Sequence, residues 1–318
     1  MTPQHIVLLG GTGFVGRALC AELVSRAGAG GLRLVVPTRR LAHGRAIQCL
    51  PGVELVQASV HDDAQLARVL AGAQAVVNLV AILQGDDAAF TRAHVELPRR
   101  LAAACRQAGV ARLVHVSALG VSPDAPSRYL RSKAAGEQAL RDSGLAPTLL
   151  RPSVIFGAED SFLNLFAALQ SVAPFVPLAG ATSRFQPVWV HDVARAIATC
   201  LERPDTAGLT FECAGPETLT LADLVRLAGR LAGHPRPIIG LPDGLGRLQA
   251  MLMEWLPGEP LMSRDNLDSM KVPNVATGTL PGLQALGIEP ASVHAVAPGY
   301  LAPGQGPSRL VRWRMRHR

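Results

Sequence analysis

The sequence predicts an α/β fold, a doubly wound parallel sheet with a small, mostly helical C-terminal lobe, and three observations carry that prediction. Short β-branched runs alternate with longer helical patterns up to residue 157. The first run ends directly in glycines spaced three apart, Gly10, Gly13 and Gly16. Beyond residue 157 the prolines Pro174, Pro177 and Pro187 break the alternation, and the remaining helical patterns become more apolar. Strand, helix, strand repeated at this spacing needs crossover connections, and these place the strands parallel with helices on both faces.

The elements follow in order. Strand-like runs fall at 6–9, 32–37, 53–57, 75–80, 113–117 and 148–151, with amphipathic helical segments at 14–26, 62–70, 96–108 and 132–143. The later region gives a strand-like 187–190, a helix over 192–202 with Asp192 as its N-cap, and a helix over 219–231 with Thr220 as a cap. An unusually apolar helix over 241–256 follows, carrying Leu245, Leu248, Met251, Leu252 and Trp255. The chain thus divides into a dinucleotide-binding domain over 1–157, a substrate or partner lobe over 158–305 interleaved with the last sheet elements, and a basic tail over 306–318.

Composition narrows the function classes. Of the 318 residues 48% are hydrophobic and 17% charged, which suits a packed core. Aromatics make up only 4%, so that core is built from Ala, Leu and Val. Five cysteines (Cys20, Cys49, Cys105, Cys200, Cys213) are scattered without a CxxC pair, which argues against zinc and against a disulfide framework and fits a reducing compartment. No metal site is expected. No window reads as a spanning helix and no leader precedes the first strand, so the sequence suggests a cytoplasmic location, either free or peripheral on the inner face of a membrane. The net charge of +7 is concentrated in residues 309–318, which hold five arginines and no acid, leaving +2 elsewhere. Without a basic face on the folded body, nucleic acid is not an expected partner.

The glycine segment defines a cofactor site. A hydrophobic strand runs into Gly10-x-x-Gly13-x-x-Gly16 and then a helix. One glycine makes the turn, another admits a pyrophosphate to the backbone, and the third lets helix and strand pack closely, as in a Rossmann dinucleotide site. The helix start then offers N–H groups and a positive dipole end to the phosphates. NAD sites commonly end the second strand in an acid that holds the ribose 2′-OH. Here no acid occurs between Glu22 and Glu54, and the strand ends in Thr38-Arg39-Arg40. Two guanidinium groups at that point suit a 2′-phosphate, so NADP(H) is the expected cofactor.

A second constellation follows the fifth strand. Ser117 ends it, twelve positions on stands Tyr129, and four further on stands Lys133, on one face with the tyrosine if that segment is helical. This resembles the short-chain dehydrogenase arrangement, in which the Tyr is general acid and base, the Lys lowers its pKa and holds the nicotinamide ribose, and the Ser orients the substrate carbonyl. Pro123 and Pro126 crowd the intervening loop, and Arg128 and Arg131 flank the tyrosine. Whether Ser117, Tyr129 and Lys133 turn over a substrate or only clamp the ribose is left open by the residues.

Further segments resemble one branch of that superfamily, the alpha-subcomplex subunit 9 family of respiratory complex I and its bacterial relatives. They are residues 10–16, 115–118, 127–137, 151–160, 162–166, 186–193, 263–266 and 280–288. The resemblance implies an atypical extended short-chain dehydrogenase fold holding NADPH tightly, with links to complex I integrity or ubiquinone metabolism. By position it implies that Gly10, Thr12, Gly13, Phe14, Val15, Gly16, Arg39 and Arg40 hold the diphosphate and adenosine end. Val60 meets the adenine, and Asn78, Val80, Ala81, Ser117, Tyr129, Lys133, Pro152 and Val154 surround the nicotinamide half. The chain departs from its relatives in placing Ser59 before Val60 where they carry an Asp; Asp62 is close in sequence.

Two functional readings follow. In the first the chain is an NADP(H)-binding protein linked to complex I or ubiquinone metabolism, its cofactor structural or sensory, with complex I or quinone-biosynthesis proteins as partners. In the second it is a free NADP-dependent reductase, epimerase or dehydratase acting on a hydrophobic carbonyl or sugar-nucleotide substrate. His94 is expected to serve as a structural hydrogen-bonding residue. The apolar helix is read as lobe packing, a lid over a lipid-like substrate, or a membrane-resting face, and the tail as a solvated end or a contact for anionic lipid or an acidic protein.

Overall fold

Alternating β-branched runs and helices fold as seven parallel strands with crossover helices. The computed structural model describes residues 4–28, 31–255 and 261–302. Its strands are β1 (His5–Leu9), β2 (Arg33–Thr38), β3 (Val53–Gln57), β4 (Ala75–Asn78), β5 (Arg112–Val116), β6 (Thr148–Pro152) and β7 (Thr210–Cys213). They lie in the order β7-β6-β5-β4-β1-β2-β3, with every pairing parallel. The order reverses direction between β1 and β4, the crevice where such sheets bind ligands beyond their carboxyl ends.

The helices of this part are α1 (Phe14–Ala27), α2 (Asp63–Leu70), α3 (Asp87–Thr91), α4 (Leu97–Ala108), α5 (Arg128–Arg141) and α6 (Val190–Glu202). Residues of α2, α4 and α5 share one core cluster with Val7, Leu9, Val35, Val76, Leu113 and Leu149 of the sheet. On the other side α1 packs along α6, and α6 rests on β5 and β6.

The described chain forms two compact units. Of the described residues, the first comprises 4–28, 31–152, 190–213 and 277–289, and the second 153–189, 214–255, 261–276 and 290–302. In the second unit helix Leu163–Val172 packs on helix Leu221–Leu231 around a core that includes Phe156, Phe166, Phe185 and Leu224. Strands Val176–Ala179 and Ile238–Leu241 pair in parallel beside helix Asp243–Glu254.

Several boundaries differ from the sequence expectation, each for a local reason. The helix expected over 132–143 begins at Arg128, because buried Ser127 caps it by accepting from the Leu130 N–H. Asp192 is not an N-cap. The helix already runs from Val190, and Asp192 is fully buried and ion-paired with Arg195 one turn on. The apolar stretch over 241–256 divides at Pro242 into the end of a strand and helix Asp243–Glu254. Thr220 does cap its helix, in a reciprocal box with Asp223. Between α3 and α4 one turn, Arg92–Glu96, is a π-helix. The basic segment 309–318 lies outside the described residues.

Candidate functional site

The predicted residues of the first unit gather at the carboxyl edge of its sheet. Gly10–Gly16 follows β1, Arg39 and Arg40 follow β2, Asn78–Ala81 follows β4, and Ser117 follows β5. Pro152 is the buried end of β6, and its carbonyl accepts from the Leu119 N–H. Val154 belongs to the second unit, where its N–H donates to Asn274 Oδ1 at 2.9 Å.

The glycine loop has the shape that a diphosphate requires. Gly10 has φ +80, a left-handed conformation open to glycine at little cost, and a Cβ there would press on the Leu79 and Val80 backbone at 3.1–3.2 Å. A Cβ on Gly16 would stand 2.5 Å from the Gly10 carbonyl oxygen and the Gly11 backbone, so only glycine lets α1 start this close to β1. Helix α1 is capped by Gly13 with no side-chain hydrogen bond and no acid in its first turn. Its leading N–H groups and positive dipole end therefore suit an anion. These residues fit a dinucleotide.

At the end expected to take the adenosine, Arg39 and Arg40 are exposed just past β2, held by a turn in which the Thr38 hydroxyl donates to the Arg40 carbonyl at 3.1 Å. Among the described residues neither guanidinium has an ion-pair partner. Val60 is half-buried, and the Ser59 N–H is bound to Gln65 Oε1 at 2.9 Å. Asp62 caps α2 through the Gln65 N–H at 2.8 Å, so the nearby acid is committed to its helix. Sequence reasoning missed the cationic company of this end. Arg100 donates to the His61 carbonyl at 2.6 Å. Burial, then the charges of Arg92, Arg100 and Arg39, hold the His61 imidazole below its ordinary range against the opposing Glu96. Arg17 was also overlooked; it reaches back over the glycine loop toward the Thr12 carbonyl at 3.5 Å.

The region expected to face the nicotinamide is tightly knit. Asn78 is fully buried; its Oδ1 accepts from the Val80 N–H and its Nδ2 donates to His115 Nδ1, both at 3.1 Å. It thus fixes the loop that presents Val80 and Ala81. His94, buried on the π-turn, accepts from the Ile82 N–H at Nε2 (3.1 Å), which puts the ring proton on Nδ1. Nδ1 then donates to Ser132 Oγ at 2.8 Å, and that hydroxyl donates to the Tyr129 carbonyl at 2.8 Å. The π-turn brings the His94 carbonyl against α5, where a Cβ on Gly136 would lie 1.9 Å from it. Burial, reinforced by Lys133, pushes the His94 pKa down to about 3, so the ring is neutral. The same two causes, with His94 added, hold His115 well below its ordinary value.

Tyr129 and Lys133 occupy the first turns of α5, one helical turn apart as their spacing predicted. Lys133 is almost fully buried and donates to the Val116 carbonyl at 2.7 Å. Burial lowers its pKa to about 8, with Glu137 opposing. The half-buried Tyr129 ring packs edge-on to His94 at 5.5 Å and to Phe90 at 6.3 Å, and burial raises its phenol to about 12. Near neutral pH the pair is therefore a protonated phenol and an ammonium, which suits proton donation more than abstraction. Ser117 Oγ is buried with no hydrogen-bond partner among the described residues, an orphan donor and acceptor. Four cysteines are buried, and burial raises the thiols of Cys20 and Cys105 to about 12 and of Cys200 to about 11, far from a reactive thiolate.

The comparisons with known proteins agree with this geometry. Residues 6–214 match the model of the NAD dependent epimerase/dehydratase family. The chain belongs to this family. Within it, the chain is 31% identical over 290 residues to the mouse (Mus musculus) mitochondrial NADH dehydrogenase [ubiquinone] 1 alpha subcomplex subunit 9, covering 89% of this chain and 76% of that one. It is therefore an NAD(P)-binding relative of that complex I subunit. A ceramide reductase from Caulobacter vibrioides is 28% identical over 253 residues, 79% of this chain and 78% of that protein. Among solved structures the NADPH-dependent quinone oxidoreductase of Escherichia coli, complexed with NADPH, superposes with a TM-score of 0.73 at 20% identity, over 92% and 98% of the two chains. That likeness establishes the family's fold for this chain.

Proposed function

We propose that the first unit binds NADP(H) in preference to NAD(H), and that the protein serves respiratory complex I or ubiquinone metabolism with a cofactor that is structural or sensory. The observation that carries the cofactor preference is the exposed Arg39–Arg40 pair beyond an acid-free β2, at the edge that holds an uncapped glycine-loop helix. Each guanidinium offers charge-assisted, often bidentate bonds to a 2′-phosphate, while a 2′-OH would find no acid there. Arg17, Arg92 and Arg100 add positive potential at that end. When bound, the nicotinamide supplies hydride. Lys133 would hold the ribose and Ser117 Oγ would face a carbonyl oxygen, while Asn78 and His94 keep the loop at Val80–Ile82 in place.

The complex I reading is supported by the relatives. It is supported also by how far the polar groups of the nicotinamide half are spent on internal bonds. Complex I or quinone-biosynthesis proteins are the proposed partners, with the second unit as the partner or substrate lobe. The acid-free tail over 309–318 is proposed to touch anionic lipid on the cytoplasmic side of a membrane. Among the described residues no helix is long and apolar enough to cross one. A second reading, a free reductase, is favoured by the orphan Ser117 Oγ and the protonated phenol of Tyr129. The two separate by following nicotinamide absorbance of the NADPH-loaded protein with a short-chain ubiquinone and with hydrophobic ketones. A structural or sensory cofactor leaves the absorbance unchanged; oxidation that is lost in Tyr129→Phe overturns that reading in favour of the reductase.

A further inference from the structure

Helix Asp243–Glu254 of the second unit is amphipathic in the wrong sense for a water-facing element. Its inward positions are the small Gly246 and Ala250, and a Cβ on Gly246 would come within 2.7 Å of Ala179. Its outward positions are large and apolar, Leu245 (55% exposed), Leu248 (48%), Leu252 (52%) and, at its end, Trp255 (74%). They recur at intervals of three and four residues, one continuous stripe on a helix. A surface helix ordinarily buries such residues and shows its polar ones. Of the eleven exposed large apolar side chains among the described residues, eight lie in this unit between Val172 and Leu261. The apolar surface also continues inward. Phe175 and Leu261, both exposed, border a cavity of about 200 Å3 lined by Leu165, Phe166, Met253 and Met262, with Gln249 its one polar side chain.

We propose that this face seats on a phospholipid leaflet, with the leucine–tryptophan stripe among the acyl chains and the helix lying in the interface plane. Charge selects the occupant. The stripe bears no charged side chain, and the cations beside it, Arg247 and Arg264, are already paired with Asp268 and Glu254. Attraction to a surface therefore falls to residues 309–318, five arginines without an acid, which complement anionic headgroups. An apolar face plus a polybasic segment is the two-signal combination that holds a protein on a membrane without a spanning helix. The inference rests on the lipid contact proposed for the tail only for this attraction, and it is independent of the cofactor reading.

The test uses the full chain with Trp189→Phe and Trp313→Phe, which leaves Trp255 as its one tryptophan. It is mixed with vesicles of phosphatidylglycerol and phosphatidylcholine, with and without brominated acyl chains. The expected result is a blue shift of Trp255 emission, quenching by the brominated lipid, and roughly tenfold weaker vesicle binding for each of Leu248→Ser and Leu252→Ser. Unaltered far-ultraviolet circular dichroism and an unaltered unfolding transition in those variants show that the fold is kept. Binding without quenching would assign the contact to the tail alone, and absence of binding would remove it; either overturns the proposal. A blue shift that appears without lipid and grows with protein concentration would mean that a second copy covers the stripe, which also overturns it.

Discussion

The two ends of the first unit's site treat their polar groups in opposite ways. At the diphosphate and adenosine end the groups are left open. The leading N–H groups of α1 have no side-chain cap, and Arg39 and Arg40 stand exposed beyond β2. At the nicotinamide end nearly every polar atom is committed within the protein. Asn78 holds His115 and Val80, His94 holds Ile82 and Ser132, and Lys133 holds Val116. An open end exchanges bound water for a ligand, whereas a committed end must break an internal bond before it does chemistry. The contrast separates the two proposals: cofactor binding draws on groups that the fold leaves open, whereas the reductase reading would rest on Ser117 and Tyr129.

The largest way to break the contrast is at the open end. Gly16→Val places atoms inside the Gly10–Gly11 backbone, and we expect NADPH affinity to fall by more than about 100-fold by calorimetric titration. Retained affinity would mean that the loop is not the diphosphate site. Next in size, Arg39→Ala with Arg40→Ala should weaken NADPH by roughly 10–100-fold and leave NADH within about threefold, the loss of charge-assisted bonds to one phosphate. Equal losses for both cofactors would point to a general electrostatic effect.

At the committed end the first expected effect is on stability. Gly136→Ala drives a Cβ into the His94 carbonyl and should destabilise the chain by about 1–3 kcal/mol in chemical denaturation. His94→Asn bears on pH dependence. The folded pKa of His94 is lowered from 6.5 to about 3, so between these values the unfolded chain binds a proton that the folded chain does not. Stability contributed by neutral His94 is then complete above pH 6.5 and declines as pH falls toward 3, by about 1.4 kcal/mol per unit. The variant should lose that slope; denaturation curves across this range with an unchanged slope would mean that His94 is already charged in the folded protein.

Much of this was legible locally. The run from β1 through Gly10–Gly16 into α1, and the arginine-ended β2, are contiguous in sequence, and their chemistry does not depend on distant contacts. Tyr129 and Lys133 could be placed on one helical face, but not their burial, which raises the phenol and lowers the ammonium. The His94 carbonyl of the π-turn packs where a Cβ on Gly136, far along the chain, would stand, a contact that no local signal announces. Asp192 had the residue type of a cap, yet the helix starts before it and takes the carboxylate inside. The apolarity of the helix after Pro242 was plain; which side it turns outward depends on the small residues packed against Ala179, a tertiary fact.

The most direct test of the central claim is native mass spectrometry of the freshly purified chain, followed by titration with each cofactor. The account predicts one NADP(H) per chain, retained through purification or restored by titration, with NAD(H) a weak competitor. A chain that holds no dinucleotide and takes up neither cofactor, or that binds NAD(H) as well as NADP(H), would contradict it.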